Sequence, residues 1–79
     1  MNAQIKPGTY RHFKGKTYEV LGVAHHSETL EELVVYRALY TTKKYPYGSL
    51  WARPREMFAG MVVSNGRRLK RFRHLKAKT

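Results

Sequence analysis

Thr29-Leu30-Glu31-Glu32-Leu33-Val34-Val35-Tyr36-Arg37-Ala38-Leu39-Tyr40 is the stretch on which the fold class turns. Its first four residues fit a capping box, with Thr29 and Glu32 three apart, and so can start a helix. The rest, Leu33 to Tyr40, is short, mostly apolar and contains two valines and two tyrosines. Periodicity alone leaves such a run open between helix and strand. Its β-branched and aromatic content favours a strand over 33–40.

The flanking segments read more clearly. Upstream, Thr9-Tyr10-Arg11-His12-Phe13 and Thr17-Tyr18-Glu19-Val20-Leu21-Gly22-Val23-Ala24 are joined by Lys14-Gly15-Lys16 and read as a β-hairpin. Gly22 inside the second run predicts a bulge or bend. Downstream, Tyr45-Pro46-Tyr47-Gly48 marks a loop over 41–49. Leu50 to Arg53 is a short strand stopped by Pro54, and 54–58 suits one helical turn. Asn65-Gly66 between Met61–Ser64 and Arg67–Lys70 is a strong hairpin signal, because both central residues of a type I′ turn need positive φ. The prediction is an all-β fold: a small SH3-like barrel of five to six short strands with one short helical turn. Residues 1–7 form a disordered lead-in, 8–73 a single domain and 74–79 a basic tail.

Composition narrows the function classes. Seventy-nine residues allow one domain, and a chain this short buries only about 60% of the surface its unfolded form exposes. There is no cysteine, so disulfides and thiolate metal sites are excluded. The N-terminus lacks an apolar signal region, and no apolar run approaches a membrane span. A cytoplasmic location away from membranes is therefore expected. The net charge of +11 is uneven: residues 1–64 hold nine Lys/Arg against five Glu, while residues 65–79 hold seven Lys/Arg and no acid. Such a block attracts polyanions, or simply keeps a small protein dissolved.

The chain also resembles a known family, the one catalogued as domain of unknown function 1653. The matching residues begin with Gly8-x-Tyr10-Arg11-His12-Phe13-Lys14-Gly15-Lys16-x-Tyr18. Next come Ala24-x-His26-Ser27-Glu28-Thr29 and Val35-Tyr36-x-x-Leu39-Tyr40. Leu50-Trp51-x-Arg53-Pro54-x-x-Met57-Phe58 and a closing Arg71-Phe72 complete the series. The sequence departs from the pattern at Gly60, where an acidic residue is expected. The resemblance implies small bacterial proteins with an SH3-like barrel and no established activity, so it carries over no catalytic residue.

Several constellations are candidates for chemistry. His26, Ser27, Glu28 and Thr29, with Tyr10, Arg11, His12 and Arg53, would line an anion-accepting groove if the 25–29 loop folded over the barrel. The plainer alternative has Ser27 and Thr29 holding a turn and Glu28 fixing the loop to an arginine. Trp51, preceded by Tyr45 and Tyr47, would form an aromatic slot for a peptide. The commoner role for Trp51 is a core anchor with the tyrosines as loop cover. Arg67, Arg68, Lys70, Arg71 and Arg73, interleaved with Phe72, suit a single-stranded nucleic acid held by cations and rings.

Catalysis and metals find little support. Ser27 beside His25 and His26 has no orienting acid or oxyanion donors in view, and there is no Gly-x-Ser-x-Gly elbow. The four histidines lack a chelating spacing, there is no aspartate, and no cofactor motif is visible. The resulting expectation is a non-enzymatic binding module, monomer or weak dimer, for a small anion or peptide. The alternative is a single-stranded RNA binder.

Overall fold

The computed structural model describes residues 5–75. Residues 1–4 of the predicted 1–7 lead-in and 76–79 of the predicted 74–79 basic tail lie outside the described residues. The chain enters as β1 (Gly8–His12), turns at Gly15, where φ is +107°, and returns as β2 (Thr17–His25). β3 (Glu32–Ala38) and β4 (Leu50–Pro54) follow, then one helical turn, α1 (Arg55–Phe58). β5 (Met61–Ser64) and β6 (Arg67–Lys70) form a hairpin, and β7 (Phe72–His74) ends the series. All pairings are antiparallel: a five-stranded sheet in the order β4-β3-β2-β1-β7, and a two-stranded sheet of β5 and β6.

The ambiguous stretch is a strand. Val34, Tyr36 and Ala38 are buried at every second position, while Leu33, Val35 and Arg37 are only half-buried on the other face. That period of two is the strand's own. The expected bulge also lies at Gly22: Val20 pairs with Tyr36, the next pair is Gly22 with Val35, and Leu21 is the extra residue. β1 pairs with β2 only as far as Val20, so Leu21–His25 extends beyond it as an arm held by β3. At the second hairpin Asn65 has φ 52° and Gly66 φ 73°, the two positive values a type I′ turn requires.

The all-β class holds, with two differences in detail. A seventh strand, β7, is too short for any sequence period and exists through its pairing with β1 (Tyr10 with His74, Arg11 with Arg73, His12 with Phe72). Hydrogen bonding also does not close the sheet into a barrel, because β4 and β7 stay unpaired with each other. Side chains bridge the gap instead. Phe58 of α1 stacks on Phe72 at 4.1 Å with an interplanar angle of 8°, and meets Tyr10 at 5.3 Å and Tyr36 at 5.5 Å. These rings with Val20 and Val34 make the core.

Trp51 is not a core anchor, which corrects the commoner reading of that residue. It sits on β4 opposite Tyr36, at the sheet margin, and is 37% exposed. The interior is filled by Phe58 from α1 instead.

Candidate functional site

Strand register decides which side chains share a face, because directly paired residues point the same way. Tyr10, His12, Tyr18, Tyr36, Trp51, Arg53 and Phe72 all lie on the inner face. Tyr10 is buried beneath Phe58 and its hydroxyl donates to the Lys6 carbonyl at 2.8 Å, so it belongs to the core. Burial pushes its phenol pKa up. Tyr18, His12 and Arg53 are only half-buried.

At one end of the molecule, a cleft of about 430 Å³ lies between the end of β1 and the β5–β6 hairpin. Its cationic lining is Arg11, Arg68, Lys70 and Arg73, His12 adds an imidazole, and Phe13, Met61 and Leu69 supply apolar wall. No carboxylate lines it. Arg11 and Arg73 are directly opposite each other in the β1–β7 ladder, and both are exposed. Like charges facing across a ladder destabilise it. Two of the chain's five glutamates are engaged elsewhere, Glu19 with Arg37 at 2.9 Å and Glu32 with Arg55 at 3.2 Å.

His12 forms one wall of this cleft. Burial lowers its pKa, and the positive charges of Arg53, Arg71 and Lys14 lower it further. Its Nδ1 accepts the Lys14 amide at 3.2 Å, so the neutral imidazole is the bonded form. Its ring stands 6.5 Å from Tyr18, and Tyr18 stands 5.4 Å from Tyr40. The Tyr18 and Tyr40 hydroxyls share a hydrogen bond, and burial with this bond drives the Tyr18 pKa far up, leaving a neutral phenol. Arg53 Nε donates to the Tyr36 hydroxyl at 3.3 Å, and its guanidinium lies 5.5 Å from the centre of the Phe72 ring.

This row of rings leads to a second cleft, of about 470 Å³, lined by Ala38, Tyr40, Thr42, Lys43, Lys44, Tyr45 and Trp51. Tyr45 packs edge-on to Trp51 at 4.9 Å, and Lys16 Nζ sits 4.7 Å over the Tyr40 ring.

The anticipated groove is only partly assembled. Arg11 and His12 meet, but in company with Arg68, Lys70 and Arg73, residues the sequence reading assigned to nucleic acid. Arg67 at the hairpin turn and Arg71 do not line that cleft; Arg71 Nε instead donates to the Met57 carbonyl at 3.1 Å. The His26–Thr29 loop is far off. Arg11 pairs with Thr17 and the loop follows His25, so about 26 Å of strand separates them. Arg53 sits nearer the loop in register, opposite Val34, yet its guanidinium turns toward Tyr36 and Phe72.

Within the loop, His26 Nδ1 accepts the Glu28 and Thr29 amides at 3.2 and 3.3 Å, and Thr29 Oγ1 accepts the Glu31 amide at 3.2 Å. These two side chains hold the turn. That leaves His26 Nδ1 engaged and poorly placed to activate Ser27. Sequence reasoning passed over Tyr40, Lys16, Lys43 and Lys44, although Lys43-Lys44 standing between Tyr40 and Tyr45 is a visible mix of cation and ring.

No group of three or more His, Cys, Asp or Glu suited to a metal occurs among the described residues. No helix among them is long and apolar enough to cross a membrane.

Comparison with known proteins agrees with the ordered motifs. The family described as protein of unknown function (DUF1653) matches residues 8–74. A crystal structure of a DUF1653 protein from Bordetella bronchiseptica is similar, with a TM-score of 0.79 and 32% identity over 94% of this chain and 95% of that one. No curated protein matches. A pattern that runs from the first strand to the last settles the affiliation: the chain belongs to the family described as protein of unknown function (DUF1653).

Proposed function

We propose that this protein is a non-enzymatic binding module for an anionic ligand, held in the cleft between β1 and the β5–β6 hairpin. One observation carries the reading: Arg11 and Arg73 face each other across a ladder, with Arg68 and Lys70 beside them and no carboxylate in the lining. Unrelieved like charge costs stability, and an anion from solution offsets that cost. Guanidinium forks suit phosphate and carboxylate oxygens, and the volume fits a small ligand.

Inorganic pyrophosphate is a suitable probe. Calorimetric titration at low salt should give saturable binding that weakens as salt is added. Arg11→Ala and Arg73→Ala should each weaken it about tenfold or more. Arg67→Ala, outside the cleft, should leave it nearly unchanged. Absence of binding by the native chain, or full binding by Arg11→Ala, would overturn the reading.

A single-stranded nucleic acid is the second reading, and Phe13 favours it. This half-buried ring lines the cleft with Lys14 Nζ 5.9 Å from its centre, the pairing of ring and cation that strands use. Affinity that rises with strand length, with a log–log salt slope of about −0.7 per phosphate contacted, would select it over a small anion.

A further inference from the structure

We infer that the cleft beneath the 41–49 loop is a separate binding site for a nucleoside phosphate unit, its base against Trp51, Tyr45 and Tyr40 and its phosphate met by Lys16, Lys43 and Lys44.

The rings are available for contact. Trp51 is 37% exposed, and Tyr45 beside it is exposed as well. Tyr40, Tyr45 and Trp51 line one concavity together. Tyr45 and Trp51 meet edge-on, at 74°, rather than in a closed stack. Bases stack on aromatic rings regardless of sequence.

The loop is built in advance. Thr42 N donates to the Tyr45 carbonyl at 2.8 Å, and Tyr45 N returns a bond to Thr42 Oγ1 at 3.0 Å. Ser49 Oγ donates to the Pro46 carbonyl at 2.7 Å. Gly48, at φ +85°, donates to the Ala38 carbonyl at 2.9 Å, and Ala38 N donates to Ser49. A site preformed in this way loses little ordering entropy when it is filled.

These same bonds argue against a peptide added as an extra strand. That mode needs free backbone donors and acceptors, and the Ala38, Tyr45 and Pro46 carbonyls are already bonded within the loop. What the cleft offers is rings and ammonium groups. Lys43 and Lys44 line it, Lys16 lies over Tyr40, and no carboxylate is present in the lining. A flat apolar ring carrying negative charge complements that set.

The test uses the chain's single tryptophan as its reporter. Adenosine 5′-monophosphate should change Trp51 emission saturably, whereas ribose 5-phosphate and inorganic phosphate should not. Tyr45→Ala should weaken the response about tenfold, and the double variant Lys43→Ala/Lys44→Ala should do so comparably, with circular dichroism unchanged. Arg11→Ala should leave the response intact, so failure here and failure of the β1–hairpin cleft are separable. A short oligonucleotide binding more tightly than the mononucleotide identifies a strand as the source, and equal affinity identifies the free nucleotide. No saturable response, an equal response to inorganic phosphate, a response retained in Tyr45→Ala, or selective binding of an acidic aromatic peptide would each overturn the inference.

Discussion

Arg11 and Arg73 show how a single pair can set stability against binding. Facing guanidiniums at a directly opposed ladder position cost the fold a few tenths of a kcal/mol to about 1 kcal/mol, and an opposite-charge pair returns a similar amount. Arg11→Glu should therefore raise the denaturation midpoint while abolishing pyrophosphate binding; a lowered midpoint would contradict this account. His12 gives a second prediction. Its folded pKa is depressed by burial and by Arg53, Arg71 and Lys14, so the unfolded chain takes up its proton first as pH falls. The contribution of His12 is complete above the unfolded value near 6.5 and is lost as pH drops through the lower folded value. Unfolding free energy should fall with acidification below about pH 6.5, and His12→Asn should flatten that segment of the curve. Residues such as these were legible in type but not in grouping. Arg11 and Arg68 are far apart in sequence, and the ladder and hairpin that bring them into one cleft are tertiary facts.

Most elements were legible in the sequence for local reasons. Gly15 and Asn65-Gly66 demand positive φ, Pro54 ends a strand and begins a helical turn, and Gly22 permits a bulge. The Thr29–Glu32 capping signal misleads because its residues serve a turn: Thr29 bonds the Glu31 amide, and Leu30 adopts φ 64°. A leucine in that conformation, 69% exposed, carries strain with no packing to offset it. Leu30→Asn should stabilise the protein by about 0.5–1 kcal/mol in chemical denaturation, since asparagine tolerates the left-handed region. β7 was illegible because three residues hold no period. The burial of Trp51 was misjudged because composition ranks side chains by type and takes no account of β4 being an outer strand of the sheet.

For the whole molecule, closure depends on side chains. Phe58 is 2% exposed and touches Tyr10, Tyr36 and Phe72, rings drawn from β1, β3 and β7. Removing a buried phenylalanine costs about 3–5 kcal/mol. A chain of this length has a total stability on the order of 4–12 kcal/mol. Phe58→Ala should leave the protein largely or wholly unfolded at 37 °C by near-ultraviolet circular dichroism, and a cooperative native-like melt would show that the rings hold the sheet without it.

Because the ladder of the five-stranded sheet stops short of a full circle, its outer strands, β4 and β7, pair on one side only among the described residues, and such edges are the usual starting point for fibre growth. β7 offers three residues, Arg73 and His74 among them, and β4 finishes at a proline whose nitrogen has no proton to give. Both margins are short, and the charges on one and the proline on the other work against pairing with a neighbouring copy.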